Sequence, residues 1–414
     1  MNSASANKNI VIIANTMLFP ARRNGASVRY YPMLKELLKR GYTIDLIIIN
    51  KFYEQHSEDD LNNAQQLFRH IDIINISSKN KTLLKSIISK ITNVTKLLSP
   101  IGTPYCLIDN NKQHYLHELT DILQHRDHYS YSIGAGIGGE NAIFLSELAP
   151  AIKPDNIVCD LIDSVYLLRK RSLRPLFKKI NPITLLEDSK TKQWEKNLSN
   201  KFTCLYISKE DARASNSDAT IIPNCVVDDD YNIAKPVQLA SPNIGFVGNM
   251  GYKPNIEACD FLCDEIFPVL LTKRPDTHLY VIGRNPSDLL LRRSQHPNIH
   301  ITGEVDNVWS YIKSIDVFVF PIISGAGLQN KVLEAMYAGK PVVCSHIANE
   351  GIEATHGKDI YIAGTTNEYI EYIEKSLIAD DSISSNARQF IDEHFSIHRS
   401  TDMLEQVLHT RLAR

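Results

Sequence analysis

The sequence has almost no excess of either charge: 45 lysines and arginines stand against 47 aspartates and glutamates, a net of -2 with histidine neutral. A protein that grips nucleic acid by neutralising phosphates carries a basic excess, so no nucleic-acid partner is expected and any basic feature must be local. Long apolar runs are missing as well. No stretch approaches the roughly 18 residues needed to cross a bilayer. The opening MNSASANKNIVIIAN pairs a polar leader with an apolar run too brief for a secretory signal, and shows no cleavage site. The chain is therefore expected in the cytoplasm without a transmembrane anchor. Cysteine is sparse: seven residues, an odd number, scattered and often set inside apolar runs, as at Cys159, Cys204 and Cys344. That distribution fits reduced, buried thiols rather than a disulfide framework. Cys259 and Cys263 are one helical turn apart, but no second Cys/His pair shares their spacing, which argues against zinc. Internal repeats and low-complexity tracts are absent.

What is present points to two α/β domains. A chain of 414 residues exceeds what one core usually supports, and 43% hydrophobic with 22% charged residues is ordinary for a soluble enzyme. NIVIIAN is a short β-rich run, SVRYYPMLKELLKR has helical periodicity, and YTIDLIIIN follows the helix-stopping Gly41. This βαβ unit requires a parallel sheet. Further apolar strands recur at NIVCDLID and TCLYIS, with the helical ENAIFLSELAPAI before them. Pro236 and Pro242 flank a weakly patterned stretch, after which NIGFVGN, HLYVIG, NIHITG, VFVFP and PVVCS restart the pattern. A hinge is expected near residues 235–242, with a cleft between the domains where the C-terminal ends of the strands place their loops. The last segment, SSNARQFIDEHFSIHRSTDMLEQVLHTRL, reads as amphipathic helix.

The most informative stretch is VFVFPIISGAGLQNKVLEAMYAGKPVVCSHIANEGI, residues 317–352. A buried strand ends at Pro321, a loop with Ser324, Gly325 and Gly327 follows, and a helix then carries Val332, Leu333 and Met336 on its apolar side. Glycine lets backbone approach a ligand, and a helix start offers N–H groups to a diphosphate. Lys331 adds a cation in the first turn. Glu334, one turn after Asn330, can accept hydrogen bonds from vicinal sugar hydroxyls; its blander reading is a favourable acid near a helix start.

The string GAGLQNKVLEAMYAGKPVV resembles the donor-site segment of glycosyltransferase family 4, a retaining family with the GT-B fold, in its polysaccharide-biosynthesis branch. The resemblance continues through GFVGNMGYKPNIEA, VIGRNP, ITGEVDNV, ISKED before IIPN, and FPARRNGASVRYYPMLKELLKRGY. It implies two Rossmann-like domains facing across a cleft: 1–237 on the acceptor side, 238–393 for the nucleotide-sugar donor, and a helix over 394–414 packing back on the first. It also implies site residues. Glu334 would bind the ribose, and the loop of Gly325, Gly327, Leu328, Gln329 and Lys331 the diphosphate. Gly248, Asn249 and Lys253 fall where the family places phosphate contacts. Gly283 and Arg284 would lie near the base, and Gly303 and Val305 in the base-binding loop. Gly25 would close over the phosphates from the first domain. Two departures stand out: Ala326 occupies the place of a common second glutamate, and Asn249 that of a common arginine.

The expected reaction moves a sugar from a UDP- or GDP-sugar to a saccharide acceptor. Negative charge growing on the departing diphosphate needs positioned cations and N–H dipoles, with Lys331 and Glu334 as candidate catalytic groups. No convincing metal-binding Asp-x-Asp is present, since Asp228, Asp229 and Asp230 read as a solvated loop, so neither metal nor cofactor is expected. Asp160 and Asp163 in VCDLIDSVYLLRKR follow a strand and have two readings: acceptor contact, or helix capping by Asp163 with Ser164. The glycines of SIGAGIGGEN lack the acidic ribose partner of a dinucleotide fingerprint. Arg169, Lys170, Arg171, Arg174, Lys178 and Lys179, and the lysines of KTLLKSIISKITNVTKLL, are either solvated faces or contacts to an anionic inner membrane face, where the acceptor would be lipid-linked. A nucleotide-sugar epimerase and a non-catalytic binding subunit are the alternatives on the same scaffold.

Overall fold

The structure is a computed structural model. It describes residues 8–20, 24–50, 55–75, 104, 107, 112–126, 128–136, 138–148, 152, 156–173, 182–215, 219–226, 229–325, 327–378 and 381–412. The leader 1–7, the lysine-spaced stretch 81–98, Arg174, Lys178, Lys179, Asp228 and Ala326 lie outside the described residues. The chain divides into two compact units, Met1–Pro223 with Ser400–Arg414, and Asn224–Arg399.

In the first unit, β1 (Asn9–Ala14), β2 (Thr43–Asn50), β3 (His70–Asn75), β4 (Tyr131–Ala135), β5 (Ile157–Ile162), β6 (Thr203–Tyr206) and β7 (Thr220–Ile221) form one sheet. Its order is β3-β2-β1-β4-β5-β6-β7, with every pairing parallel. Ile10, Val11, Ile12 and Ile13 are all fully buried, so β1 is covered on both faces, as unbroken apolar strands of a parallel sheet must be. The winding runs outward from β1 to β3 and then reverses to β4, which puts a topological switch point between β1 and β4. The helix Gly25–Lys39 after β1 starts with a capping box: Asn24 accepts from the Ser27 N–H at 2.8 Å, and the Ser27 hydroxyl accepts from the Asn24 N–H at 2.9 Å. Arg40 and Tyr42, at the far end of that βαβ unit, bond to the final helix: Arg40 donates to Asp402 at 2.6 Å and Glu405 at 2.7 Å, and the Tyr42 hydroxyl to Glu405 at 2.9 Å.

The second unit repeats the plan. β8 (Asn243–Val247), β9 (His278–Ile282), β10 (Ile299–Gly303), β11 (Val317–Phe320), β12 (Val342–Cys344) and β13 (Tyr361–Ile362) make a sheet of order β10-β9-β8-β11-β12-β13. It too is parallel throughout, and its switch point falls between β8 and β11. A reciprocal clamp fixes those two strands at their starts: the Asn243 N–H donates to Asp316 at 2.9 Å, and the Asp316 N–H to the Asn243 side chain at 2.9 Å. Cys259 and Cys263 are buried free thiols on the helical run after β8. Among the described residues no three His, Cys, Asp or Glu side chains group as metal ligands, and no helix is long and apolar enough to cross a membrane.

Both sheets match the expected doubly wound α/β architecture, and close helix-on-strand contact makes the first depend on glycine. A Cβ on Gly134 would stand 2.2 Å from the Ala142 nitrogen and 2.5 Å from its Cα, both backbone atoms of the helix Glu140–Leu148. Gly134→Ala is therefore expected to cost at least about 2 kcal/mol of unfolding free energy, because backbone cannot step aside as a side chain can. Urea unfolding of the variant measures it; a midpoint unchanged from wild type would refute the close contact.

Candidate functional site

In the second unit, the loops leaving β8, β9, β10 and β11 converge at the C-terminal edge of the sheet. The backbones after β8, β9 and β10 are bonded to one another. The Gly248 N–H donates to the Ile282 carbonyl at 3.0 Å, the Gly283 N–H to the Gly303 carbonyl at 3.1 Å, and the Met250 N–H to the Arg284 carbonyl at 2.9 Å. Gly283 has φ +140, and a Cβ there would sit 1.9 Å from the Gly248 carbonyl oxygen, so only glycine permits this approach. Asn285, at φ 59, donates from its side chain to Asn249 at 3.1 Å, and the Asn249 side chain also accepts the Gly251 N–H at 3.0 Å. Arg284 is exposed beside this knot, Gly303 (φ +68) ends β10, and half-buried Val305 lies in the loop that follows it.

Two helices start at the β8/β11 switch point. One is Lys253–Phe261, whose N-cap Tyr252 makes no side-chain capping bond; the other is Asn330–Tyr337, whose N-cap Gln329 makes none either. Four other helix starts in the unit, at Ser287, Asn307, Ser345 and Thr365, are closed by a side-chain oxygen, while Phe267–Lys273, which continues an existing helical run, is not. Neither start at the switch point has a capping side chain; Pro254 carries no N–H, and the Asn255, Asn330 and Val332 N–H groups donate to the Tyr252, Leu328 and Gln329 carbonyls, which leaves the first-turn N–H groups of Lys253 and Lys331 to meet an anion. Gly325 (φ +106) and Gly327 (φ +77) shape the loop leading to Gln329, Leu328 is buried, and the Ser324 hydroxyl donates to Glu257 at 2.5 Å. Lys253 pairs with the same Glu257 at 3.5 Å.

Lys331 lies in the first turn of the second helix, with its ammonium donating to the Asn255 side-chain oxygen and lying 5.5 Å from the centre of the Phe246 ring. Burial pulls its pKa down to about 7, with the Glu334 carboxylate opposing that shift. A lysine poised at that value gains full charge when an anion arrives. Asn255 and the Asn224–Asn330 side-chain bond at 2.9 Å carry no signal that periodicity or motif spacing could have exposed. They are short polar residues whose partners lie far along the chain.

The sequence-predicted residues of the first unit fall into separate roles. Gly25 opens the helix after β1, and a Cβ there would touch nothing within 4 Å. Asp160 is 1% exposed, two residues before the end of β5. Its carboxylate accepts from Arg29 Nε at 2.9 Å, the Tyr30 hydroxyl at 2.5 Å and the Ile162 N–H at 3.0 Å. Arg29 is itself fully buried and donates on to the Ile222 carbonyl at 2.7 Å. Ile162 has φ 64, a left-handed conformation that a β-branched residue adopts only at a cost of about 1–3 kcal/mol. The chain turns there so that Asp163 is delivered beside Asp211. Ser164, not Asp163, caps the helix Val165–Leu173: its hydroxyl oxygen accepts from the Leu167 N–H at 3.2 Å. Asp163 Oδ1 is buried with no hydrogen-bond partner. Burial, then the charge of Asp211, push the Asp163 carboxyl up to about 7. Burial also raises Glu195 to about 7, against hydrogen bonds from Ser164 at 2.9 Å and the Val165 N–H at 2.6 Å. Of the basic cluster, Arg169 pairs with Asp188 at 3.3 Å and Lys170 lies over the Tyr166 ring.

A carboxyl held near 7 when folded but near its ordinary acid value when unfolded binds more protons in the native state between those values, so stability falls as pH rises through that window. Asp163→Asn removes its share. The variant is expected to match wild type near pH 4 and to exceed it by about 4 kcal/mol at pH 8. Urea unfolding at both pH values checks the difference, and an equal effect at each would refute the buried charge.

Residues 241–378 match the family model described as Glycosyl transferases group 1. A 44.6 kDa protein of the Klebsiella pneumoniae cps region is 24% identical over 213 residues, 49% of this chain and 55% of that protein. The capsular polysaccharide biosynthesis glycosyltransferase CapM of Staphylococcus aureus is 28% identical over 182 residues, 41% of this chain and 46% of its own length. The chain thus spans about half the length of the curated relatives it matches. HepE of Anabaena, solved in complex with UDP, superposes with a TM-score of 0.63 at 12% identity, covering 97% of this chain and all of HepE. Two parallel, doubly wound units with these neighbours make the fold GT-B, and the segment that carries the switch-point loops of the second unit is the one matched to the group 1 glycosyl transferases.

Proposed function

We propose that the chain is a retaining glycosyltransferase that takes a sugar from a nucleoside-diphosphate donor and extends a surface polysaccharide or oligosaccharide. The observation that carries this reading is the pair of helix starts without capping side chains around Lys331 at the β8/β11 switch point. Two N-terminal dipoles and one lysine match a diphosphate in charge and in hydrogen-bonding sense. Gly327, Leu328 and Asn249 supply further N–H groups, Glu334 takes the ribose hydroxyls, and Arg284, Gly303 and Val305 flank the base. HepE binding UDP makes UDP-sugars the first donors to try, with GDP-sugars beside them.

In the reaction the bond from the anomeric carbon to the diphosphate breaks and a bond to the acceptor oxygen forms on the same face, while the acceptor proton leaves with the diphosphate. Lys331 and the helix dipoles stabilise the charge that develops on the leaving group. On the first unit we assign the acceptor contact to Asp163, whose Oδ1 lacks a partner, and a supporting role to Asp160, whose oxygens are held by Arg29, Tyr30 and the Ile162 N–H. Capsule-region relatives favour a surface glycan, and the arginines and lysines of residues 169–179 favour a lipid-linked acceptor at an anionic membrane face.

A thermal-shift screen against UDP- and GDP-sugars is expected to single out one donor. With that donor and an acceptor, free nucleotide should appear and proton NMR should show the anomeric configuration kept. Lys331→Ala is expected to lower kcat about 10²- to 10³-fold. Interconverted sugar without free nucleotide would mean an epimerase, binding without turnover a non-catalytic subunit, and an inverted product would overturn the retaining assignment. Sedimentation with vesicles containing anionic lipid tests the membrane contact.

A further inference from the structure

One buried side chain joins the two helix starts of the second unit. Asn255, 5% exposed in the first turn of Lys253–Phe261, donates from Nδ2 to the Asn249 carbonyl at 2.9 Å and accepts the Lys331 ammonium on Oδ1. Its orientation is determined by these partners, since a flipped amide would set donor against donor and acceptor against acceptor. Gly248 is shaped to it: a Cβ there would lie 2.8 Å from Asn255 Nδ2. We propose that Asn255 is a positioning residue for the donor diphosphate, holding the Gly248–Asn249 turn with one end of its amide and aiming the Lys331 ammonium with the other.

This inference rests on the donor-site reading above and adds a reason for an amide at this position. A carboxylate would aim the lysine equally well but would spend its charge on the protein. A neutral oxygen orients the ammonium and leaves its charge for the ligand. The charged groups around Lys331 are consistent with that. Glu334, on its own helix, opposes the effect of burial. Glu257, on the facing helix, is engaged by Lys253 and the Ser324 hydroxyl. With the lysine near 7 in the free protein, it is charged below that pH. Above it, donor binding must take up a proton, so affinity declines as pH rises.

The test combines two measurements. Calorimetry gives the Kd of UDP-glucose and GDP-mannose from pH 5.5 to 9, where their diphosphates do not titrate, and competitive amine labelling with mass spectrometry gives the titration of Lys331 without ligand. In wild type, Kd is expected to be flat below pH 7 and to weaken up to about 10-fold per pH unit above it, with labelling inflecting at the same pH. Asn255→Asp should move the labelling inflection up by about one pH unit or more through the added carboxylate, and carry the Kd profile with it. Asn255→Leu should lower kcat/KM for the donor about 10- to 100-fold, through kcat as well as KM, because it removes the contact that aims Lys331. A folded Asn255→Asp variant whose Lys331 titrates as in wild type overturns the proposal, even if Asn255→Leu fails to fold. If neither sugar binds wild type, the donor-site reading fails for these donors, while the labelling arm still decides whether Asn255 governs Lys331.

Discussion

The contact between Gly248 and Gly283 underlies the rest of the second unit. A parallel sheet brings its strand ends to one edge, but ordinary side chains would hold the loops there apart. With no Cβ at Gly283, its backbone reaches the Gly248 carbonyl at a separation that no side chain allows, and the amide ladder Gly248–Ile282, Gly283–Gly303 and Met250–Arg284 follows. That ladder sets the turn before Lys253–Phe261, and so the direction in which this helix start faces. Gly248 in turn leaves the space that Asn255 fills, and Asn255 reaches Lys331 on the other helix start. Two glycines and one amide thus fix how the two helix starts at the switch point are held.

Each unit also holds ionisable groups where charge is expensive, and handles them differently. Asp160 is matched by Arg29 and Tyr30, with the tyrosine hydroxyl pushed well up by burial and by the carboxylate it serves. Removing one partner from such a network costs several kcal/mol, because the remaining charge is left in low dielectric. Asp163 lacks that compensation, and Lys331 has an amide oxygen, the Phe246 ring and the influence of Glu334 in place of a paired carboxylate contact. Both are drawn toward neutrality from opposite sides, and both follow strand ends at the loop-bearing edge of their sheets. Perturbed groups that packing alone would have paired or excluded are where chemistry is to be sought. The left-handed Ile162, immediately before Asp163, adds strain at the same place.

Much of the architecture was legible in the chain itself. NIVIIAN, YTIDLIIIN, NIGFVGN and VFVFP are apolar without alternation because their strands are buried on both faces, and the helical repeats between them made the sheets parallel. Ser324, Gly325, Gly327 and Lys331 were readable as a loop and helix start because glycine and a first-turn lysine act through local backbone geometry. Asp163 and Ser164 could not be told apart as caps from spacing alone, since a cap is defined by which oxygen meets a first-turn N–H.

Local periodicity and glycine placement were thus enough to determine two doubly wound units and the glycine loop and helix start that follow β11. Tertiary structure alone decided which polar groups are paired. Arg29 meets Asp160 across 131 residues and Lys331 meets Asn255 across 76, and no local pattern encodes such meetings. It also decided the protonation of Lys331 and Asp163, because a pKa is set by the water excluded and the charges brought near, and both exist only once the chain has packed.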